Sequence, residues 1–401
     1  MDFEYSDRSK NFQERLKAFI DEFVVPGEEV YFQWLKDNAE SWDVPPVMDE
    51  LKAKAKDAGL WNLFLPDDEY GAGLSNVDYA PLAEMMGQSF IASEVFNCAA
   101  PDSGNMEVLA KYGSNAQKNQ WLDPLLSGDI RSAFCMTEPD VASSDATNME
   151  ATAIVDGDDV ILNGRKWWIT GIGHPKCDIL IFMGVSDASA ARHAQHSMVL
   201  VPRDTAGVEL IRPLSIFGHI DRPHGHFEVA FNDVRVPKNN VILGLGRGFE
   251  IAQGRLGPGR IHHCMRCIGA AEKALELMIK RGIKREAFGK PIINLGGNRD
   301  IIADGRMVIE QARLLTLKAA HMMDTVGTFG AMSEISMIKV IAPNMAQNII
   351  DQAIQMHGGC GLSDDVPLAS MYAINRIMRL ADGPDEVHRG LVAKLELRKY
   401  R

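Results

Sequence analysis

The densest group of chemically useful residues in this 401-residue chain lies in one turn, Phe134 to Asp145. The turn follows an apolar, strand-like run and carries three hydroxyl groups, on Thr137, Ser143 and Ser144. Pro139 restricts the backbone, and adjacent amides in such a turn can form an anion-tolerant concavity without a glycine-rich loop. The segment therefore predicts a contact with the polar edge of a cofactor. The alternative is a solvated loop with an Asp or Ser cap.

A second aromatic and hydroxyl pair lies in the strand-like segment Asn163 to Gly171. Alternation along a strand would place the Trp168 indole and the Thr170 hydroxyl on the same side, two residues apart. That pair could cover a planar ring and hydrogen-bond its edge. The alternative is a core tryptophan beside a surface threonine.

Positive charge and an aromatic ring are combined in Lys284 to Lys290, directly after a predicted helix. The Arg285 guanidinium suits a pyrophosphate, and the Phe288 ring suits an adenine. An ordinary charged helix end is the alternative interpretation.

Near the C-terminus, Asp382 stands two residues before Pro384. Proline suits the first position of a helix, so Asp382 is a candidate pre-helix capping residue. The other interpretation is a carboxylate base, which must come within hydrogen-bond reach of the proton that it removes. The residues alone leave both interpretations open.

The elements that must position these residues follow a helix, sheet, helix order. Apolar spacing predicts helices in the first 130 residues, whereas Val-, Ile-, Phe- and Thr-rich runs with hairpin cues at Val155–Asp159 and Asn163–Gly164 predict strands after them. The predicted fold class is α+β, mostly α. Its predicted domains are an N-terminal helical domain (1–130), a middle β domain (131–245) and a C-terminal helical domain (246–401). The predicted helices are 12–23, 45–59, 77–87, 106–112, 248–281, 299–326, 334–356 and one from 384.

Composition excludes several classes of protein. The formal net charge of −12 disfavours nonspecific nucleic-acid binding, and no apolar run is long enough to cross a bilayer. Six scattered cysteines indicate a reducing compartment, and we expect a cytoplasmic protein because the N-terminal residues have no leader-like pattern. Neither Cys264 with Cys267 nor His224 with His226 is predicted to bind a metal.

The segments already described, together with Leu65–Gly73 and Arg379–Arg389, resemble in sequence order the acyl-CoA dehydrogenase family. The resemblance covers nearly the whole chain. It implies an N-terminal helical domain, a middle β-barrel or sandwich domain and a C-terminal four-helix bundle, with FAD as cofactor.

The resemblance also implies roles for individual residues. Arg285, Phe288, Gln355 and the Gly358–Gly359 turn would reach the cofactor of a neighbouring subunit, which implies a homo-oligomer, either a dimer or a homotetramer. The implied substrate-binding residues are Ser144, Arg260 and Gly383. The implied FAD-binding residues are Phe134, Met136, Thr137, Ser144, Trp168, Thr170, Arg285, Phe288, Gln355, Gly358, Gly359 and Glu386.

Asp382 aligns with the family's catalytic carboxylate, which is usually a Glu. The Asp side chain is shorter by one C–C bond, about 1.5 Å, so substrate and loop must lie closer together. The alternative base position on the long helix is Gly259, which offers no carboxylate. The family also carries an amide residue near Gly296 or Gly297 and a Thr at Pro384, and this sequence lacks both.

The implied reaction is α,β-dehydrogenation of a fatty acyl-CoA to trans-2-enoyl-CoA, as in fatty acid β-oxidation. Asp382 would remove the α-proton, its backbone amide would polarise the thioester carbonyl, and the β-hydrogen would pass to FAD as hydride. An electron-transfer flavoprotein would then accept the electrons. The C-terminal segment looks most like the long-chain and 4-hydroxyacyl branch. A flavin oxidase similar to nitroalkane oxidases is the alternative enzyme, and a DNA-associated homologue, disfavoured by the acidic charge, is the non-enzymatic one.

Overall fold

The structure is a computed structural model that describes residues 4–400, and helices precede and follow a central group of strands. A π-helical segment, Ile20–Val24, joins the first two helices. The α-helices among these residues are α1 (Asp7–Phe19), α2 (Val25–Asp37), α3 (Pro46–Asp57), α4 (Asn76–Met86), α5 (Ala92–Val95), α6 (Asp102–Tyr112), α7 (Asn115–Gln117), α8 (Asp123–Ser127), α9 (Gly248–Lys284), α10 (Asn298–Gly330), α11 (Met332–His357), α12 (Leu368–Ile377) and α13 (Asp385–Arg398).

Local capping signals fix several helix ends. The Ser6 hydroxyl accepts a hydrogen bond from the Ser9 amide at the start of α1, and Ser75 accepts one from Asp78 at the start of α4. Such caps satisfy amide groups that have no partner inside the helix. At the end of α8, Gly128 adopts φ +75°, the left-handed conformation that commonly terminates a helix.

Seven strands form one sheet in the order β1-β4-β2-β3-β7-β6, with β5 paired to β4. The β1–β4 pairing is parallel, whereas β2–β3, β3–β7, β4–β5 and β6–β7 are antiparallel. The strands are β1 (Arg131–Cys135), β2 (Thr152–Asp156), β3 (Asp159–Thr170), β4 (Cys177–Val185), β5 (His196–Pro202), β6 (Val208–Pro213) and β7 (His226–Pro237), and a separate two-stranded hairpin consists of β8 (Glu286–Ala287) and β9 (Lys290–Pro291).

The sheet carries a continuous apolar core. Strand β4 is buried at six consecutive positions, 179–184, as expected for a strand covered on both faces. In β3 the alternating residues Val160 and Leu162 are buried, and the rings of Phe182 and Phe231 pack at 4.6 Å between centroids. This core makes the sheet a rigid support for the polar residues on its strands and loops.

The described residues divide into two compact units. The first, here called the helical unit, lies within Met1–Val25, Leu74–Ser93 and Gly257–Arg401. The second, here called the sheet unit, lies within Pro26–Gly73 and Glu94–Leu256. Each unit therefore contains segments that are distant in sequence.

The predicted α+β, mostly α fold is confirmed, with a helical N-terminus, a sheet and a helical C-terminal region. The hairpin predicted at Val155–Asp159 is present, because Asp156 pairs with Asp159. The hairpin predicted at Asn163–Gly164 is wrong, since both residues lie inside β3. Gly164 has φ +139° at a register shift between β3 and β7, so this glycine marks a bulge and not a turn.

Candidate functional site

In the sheet unit, the hydroxyl-rich turn follows the end of β1 and is hydrogen-bonded to β3. The Thr137 carbonyl accepts a hydrogen bond from the Trp167 amide at 2.9 Å. Within the turn, the Ser143 hydroxyl accepts one from the Glu138 amide at 2.8 Å. The turn is therefore held by a hydrogen bond to its own Ser143 hydroxyl and by another to strand β3.

A buried ion pair joins the turn to the sheet. The Lys166 ammonium of β3 donates to Glu138 Oε1 at 2.7 Å and to the Met136 carbonyl at 3.0 Å. Glu138 also accepts hydrogen bonds from the amides of Glu150 and Ala151, at 2.8 and 3.1 Å. Burial lowers the pKa of Lys166, while Glu138 opposes that shift. Buried charges of this kind are stable only when paired and hydrogen-bonded, so this pair fixes Met136 and Thr137 against β3.

Trp168 and Thr170 lie together, but regular strand alternation is not the reason. The pairing of β3 with β7 shifts register between Lys166 and Ile169, and Trp168 has φ +55°. The prediction assumed regular alternation, in which residues on one face of a strand are an even number of positions apart. Lys166 and Ile169 are both buried although they are three positions apart, so the bulge at Trp168 breaks that alternation. Non-glycine residues at positive φ are strained and occur disproportionately at functional sites.

His226, at the start of β7, contacts both members of that pair. Its Nδ1 lies 2.9 Å from the Thr170 hydroxyl, and its ring centroid lies 5.8 Å from that of Trp168. Burial lowers the pKa of His226, although Asp221 partly opposes the shift. The imidazole is therefore expected to be neutral at pH 7. Trp168 remains 40% exposed, so its ring offers an accessible aromatic surface.

Phe134 packs against a cation. The Arg255 guanidinium carbon lies 4.0 Å from the Phe134 ring centroid, and Arg255 Nε donates to Asn105 at 3.2 Å. Nearby on α6, burial raises the pKa of Glu107 to about 8, and Arg255 opposes that shift. A stacked guanidinium fixes the aromatic ring in place.

These residues fit a flavin ring. Among the described residues, buried polar atoms that have no hydrogen-bond partner include Trp167 Nε1 and His226 Nε2. Aromatic faces, a hydroxyl and strand amides are the groups that a planar, polar-edged ring requires. The sheet unit therefore brings together Met136, Thr137, Trp168 and Thr170, whereas Ser144 is exposed in the turn.

In the helical unit, Asp382 lies in a short turn between α12 and α13 and has φ +56°. Its Oδ2 lies 3.5 Å from His263 Nε2 of α9. The N-cap residue of α13 is Pro384, two residues after Asp382. Asp382 is therefore not the N-cap residue of α13, and its positive φ is a strained conformation of the kind that occurs disproportionately at functional sites.

The turn that carries Asp382 is held through its carbonyl groups. The Asp382 carbonyl accepts from Arg260 Nε at 2.9 Å and lies 3.2 Å from His388 Nε2. Lys339 donates to the carbonyls of Met378 and Ala381, at 2.6 and 2.8 Å. Burial lowers the pKa of Arg260, and Asp382 opposes this shift. Because these donors bind backbone carbonyl groups, the Asp382 backbone is fixed without the use of its carboxylate.

Burial also lowers the pKa of His388 to about 4, with smaller contributions from Arg260 and Lys339. This histidine is consequently neutral at pH 7. Gly383 has φ +102°, and a Cβ atom there would lie 2.9 Å from His388 Nε2. Only glycine fits this position without displacing the ring.

The remaining predicted cofactor residues of the helical unit are exposed. Phe288 and Gly289 form the tip of the β8–β9 hairpin with φ +52° and +75°, and Phe288 is 94% exposed. Positive φ at both central residues is typical of a type I′ turn. Arg285 precedes β8, and Gln355 is exposed near the end of α11, where Gly358 has φ +63°. Gly359 follows, and Glu386 is exposed in the first turn of α13.

Sequence patterns missed Lys166, His226 and His263 as site residues. Lysine in a strand ordinarily indicates an exposed position, His226 was considered only as a metal ligand, and His263 was not singled out. A lysine at a position where a strand should be apolar is the available signal, because a buried lysine requires a partner. No group of three His, Cys, Asp or Glu side chains suited to a metal occurs between residues 4 and 400.

Sequence models of known families match most of the chain. The N-terminal, middle and C-terminal domain models of the acyl-CoA dehydrogenases match residues 6–129, 133–234 and 246–397. None of the helices in the described part of the chain is long and apolar enough to span a membrane.

Individual proteins are similar over nearly the full chain. Acyl-CoA dehydrogenase family member 11 of Mus musculus is 57% identical over 98% of this chain and 51% of its own length. A Mycobacterium tuberculosis protein that carries the name acyl-CoA dehydrogenase FadE2 is 52% identical over 100% of this chain and 98% of its own. A solved Mycobacterium abscessus structure that carries the acyl-CoA dehydrogenase name has a TM-score of 0.98 and 60% identity, with 100% of both chains covered. The chain spans about half the length of the vertebrate relatives.

Proposed function

Because the chain belongs to the acyl-CoA dehydrogenase family, we propose that it oxidises a fatty acyl-CoA to the trans-2-enoyl-CoA. The observation that carries this proposal is the Asp382 turn, in which the backbone of a carboxylate residue is fixed by Arg260, Lys339 and His388. A general base must be positioned before its protonation state matters. The domain bounds 1–130, 131–245 and 246–401 belong to the same proposal.

The cofactor of this family is FAD, and the residues of the sheet unit fit it. When bound, FAD accepts the β-hydrogen of the substrate as hydride. Thr137 and Thr170 offer hydroxyl groups to its polar edge, and Trp168 offers a ring face. Phe134 and Met136 complete this group, with Met136 held through its carbonyl by Lys166.

Asp382 is proposed to take the α-proton. Its carboxylate is the shorter equivalent of the family's Glu, and the fixed left-handed backbone sets the direction in which it projects. The Asp382 amide is proposed to polarise the thioester carbonyl, which stabilises the negative charge that develops on that oxygen. Arg260, Gly383 and Ser144 are the proposed substrate-binding residues.

The exposed residues Arg285, Phe288, Gln355, Gly358 and Gly359 are proposed to bind the cofactor of a second copy of the chain. Their exposure in the helical unit supports this assignment. The assembly would be a dimer or a homotetramer, and Glu386 would add a polar contact to FAD. An electron-transfer flavoprotein is the proposed acceptor.

Anaerobic flavin absorbance tests the assignment of Asp382. We expect butyryl-, octanoyl-, palmitoyl- or a 4-hydroxyacyl-CoA to bleach the flavin bands of the unaltered protein. Asp382→Asn should keep bound FAD and lose at least about 100-fold in reduction rate, since a positioned base contributes that much. The matched control is Asp364→Asn, an exposed carboxylate of the same unit, which should reduce normally. Retained reduction in Asp382→Asn would show that another group is the base.

The electron acceptor separates the dehydrogenase from a flavin oxidase. After anaerobic reduction, a dehydrogenase should be reoxidised by electron-transfer flavoprotein much faster than by dissolved oxygen. Rapid oxygen consumption during turnover would support the oxidase alternative.

A further inference from the structure

His263 connects the Asp382 carboxylate to a second arginine. His263 Nε2 lies 3.5 Å from Asp382 Oδ2, and Arg266 Nη2 lies 3.1 Å from the other ring nitrogen, Nδ1. His263 and Arg266 lie one turn apart on α9, so a single helix carries both. Both contacts lie within the helical unit.

The contact with arginine fixes the tautomer of the imidazole. A guanidinium has only N–H donors, so Arg266 must donate and His263 Nδ1 must accept. The proton of the neutral ring then lies on Nε2, the nitrogen that faces Asp382. A second proton on Nδ1 would replace this hydrogen bond by a contact between two cations. The ring therefore presents a neutral N–H donor to the carboxylate.

We propose that His263 is a positioning residue that orients the Asp382 carboxylate through its Nε2–H, with Arg266 fixing the donor tautomer. The proposal rests on the proposed function, because it gives Asp382 the role of base. An Asp has a shorter side chain than the family's Glu, and a donor from α9 restrains the direction of that carboxylate. A neutral donor fixes the anion without the stronger charge stabilisation that an imidazolium would give, so the base keeps its ability to accept a proton.

Other charged and titratable groups lie near this pair and do not depend on the His263 side chain for the contacts described here. Arg260 and Lys339 donate to backbone carbonyls of the turn, and His388 has a pKa of about 4. Titratable or charged groups on the neighbouring elements include Tyr79 of α4, Arg260, His262, Cys264, Arg266 and Cys267 of α9, Lys339 of α11, Arg379 of the preceding turn, and Asp385, Glu386 and His388 of α13.

Two substitutions at His263 distinguish the effect of the N–H donor from the effect of the aromatic ring. His263→Phe keeps an aromatic ring and removes the N–H, whereas His263→Gln keeps an amide donor at a similar reach. The control is His321→Phe, an exposed histidine on α10 of the same unit. Each variant is purified with FAD, and the rate of anaerobic flavin reduction by octanoyl-CoA is measured between pH 5.5 and 9.

We expect His263→Phe to reduce at least about 10-fold more slowly at pH 7 and to bind octanoyl-CoA normally. The ascending limb of its pH–rate profile should move to higher pH, because loss of a hydrogen-bond donor to the Asp382 carboxylate favours the protonated acid. His263→Gln should recover most of the reduction rate and the ascending limb of the unaltered protein. His321→Phe should match the unaltered protein in both. An unchanged rate and pH profile in His263→Phe would overturn the proposal.

A spectroscopic measurement keeps this test separate from the proposed function. In protein labelled with ¹⁵N-histidine, the signal lost in His263→Phe identifies the ring, and at pH 7 it should show a protonated Nε2 and an unprotonated Nδ1. The opposite tautomer, or an imidazolium, would overturn the proposal. If no acyl-CoA bleaches the flavin, the proposed function fails, and the tautomer still decides whether Arg266 fixes His263 as proposed.

Discussion

Gly383 follows the proposed base, and its lack of a side chain is required by the fold. Its φ of +102° is unfavourable for residues with a Cβ, and a methyl group there would lie 2.9 Å from His388 Nε2. We expect Gly383→Ala to displace Asp382 and to slow flavin reduction by at least about 10-fold. Gly390→Ala on α13 is the control, because a Cβ there meets no atom within 4 Å. Equal reduction rates in the two variants would contradict this role of Gly383.

Phe288 is an exposed residue, and its proposed contact with the cofactor of a second subunit can be tested by substitution. We expect Phe288→Ser to weaken FAD binding by about 10-fold, as the loss of an aromatic stacking partner typically does. The control is Phe217→Ser, since Phe217 is also highly exposed and has φ +49°. Both affinities are measured by FAD titration of the apoprotein. An equal effect of the two substitutions would argue against a cofactor contact at Phe288.

At the scale of elements, the Lys166–Glu138 pair ties a loop to strand β3. Lys166→Met leaves the Glu138 carboxylate buried without its cation, so we expect a large loss of stability. The double variant Lys166→Met with Glu138→Gln removes both charges and should fold more stably than the single variant. It should still bind FAD more weakly than the unaltered protein, because the Met136 carbonyl has lost its donor.

Thermal unfolding of the apoprotein and FAD titration separate the two effects. Lys176→Met is the control, because it removes a partly exposed ion pair with Asp49 that should contribute less than about 1 kcal/mol. Unaltered FAD affinity in the double variant would show that the pair stabilises the fold without ordering the cofactor segment.

Hydrophobic periodicity was sufficient to predict the long helices but not all of the short ones. The predicted helices 299–326 and 334–356 correspond to α10 and α11, and Gly327 at φ +71° interrupts α10 directly after the predicted end of the first. Helix α12 was not predicted, since ten residues give too few turns for a clear pattern. The bulge at Trp168 was also not predictable, because it arises from the pairing of β3 with β7.

For the whole molecule, buried histidines predict an acid-sensitive fold. Burial depresses the pKa of His174 to about 2, of His262 to about 3 and of His388 to about 4, whereas an unfolded histidine titrates near 6.5. Below pH 6.5 these three histidines therefore bind more protons in the unfolded chain than in the folded one. The stability from neutral histidines is present above that pH and is lost progressively as pH falls.

Differential scanning calorimetry between pH 8 and 5 tests this dependence. The midpoint of unfolding should fall between pH 6.5 and 5, where the three histidines outweigh the opposite contribution of Glu107, whose pKa burial raises to about 8. His388→Gln should make the midpoint of unfolding less dependent on pH in that range, because it removes one of the three buried histidines. A midpoint that does not change down to pH 5 would contradict the prediction.

The sequence alone determined the order of helices, sheet and helices, because hydrophobic periodicity is a local property of consecutive residues. It also determined which residue types are available, including the Thr137 turn and the Asp382 carboxylate. The tertiary structure decided which distant residues meet: Lys166 with Glu138, His226 with Trp168, and His263 with Asp382. Such contacts depend on how strands pair and helices pack, and no local pattern encodes the distance between side chains that are far apart in the chain.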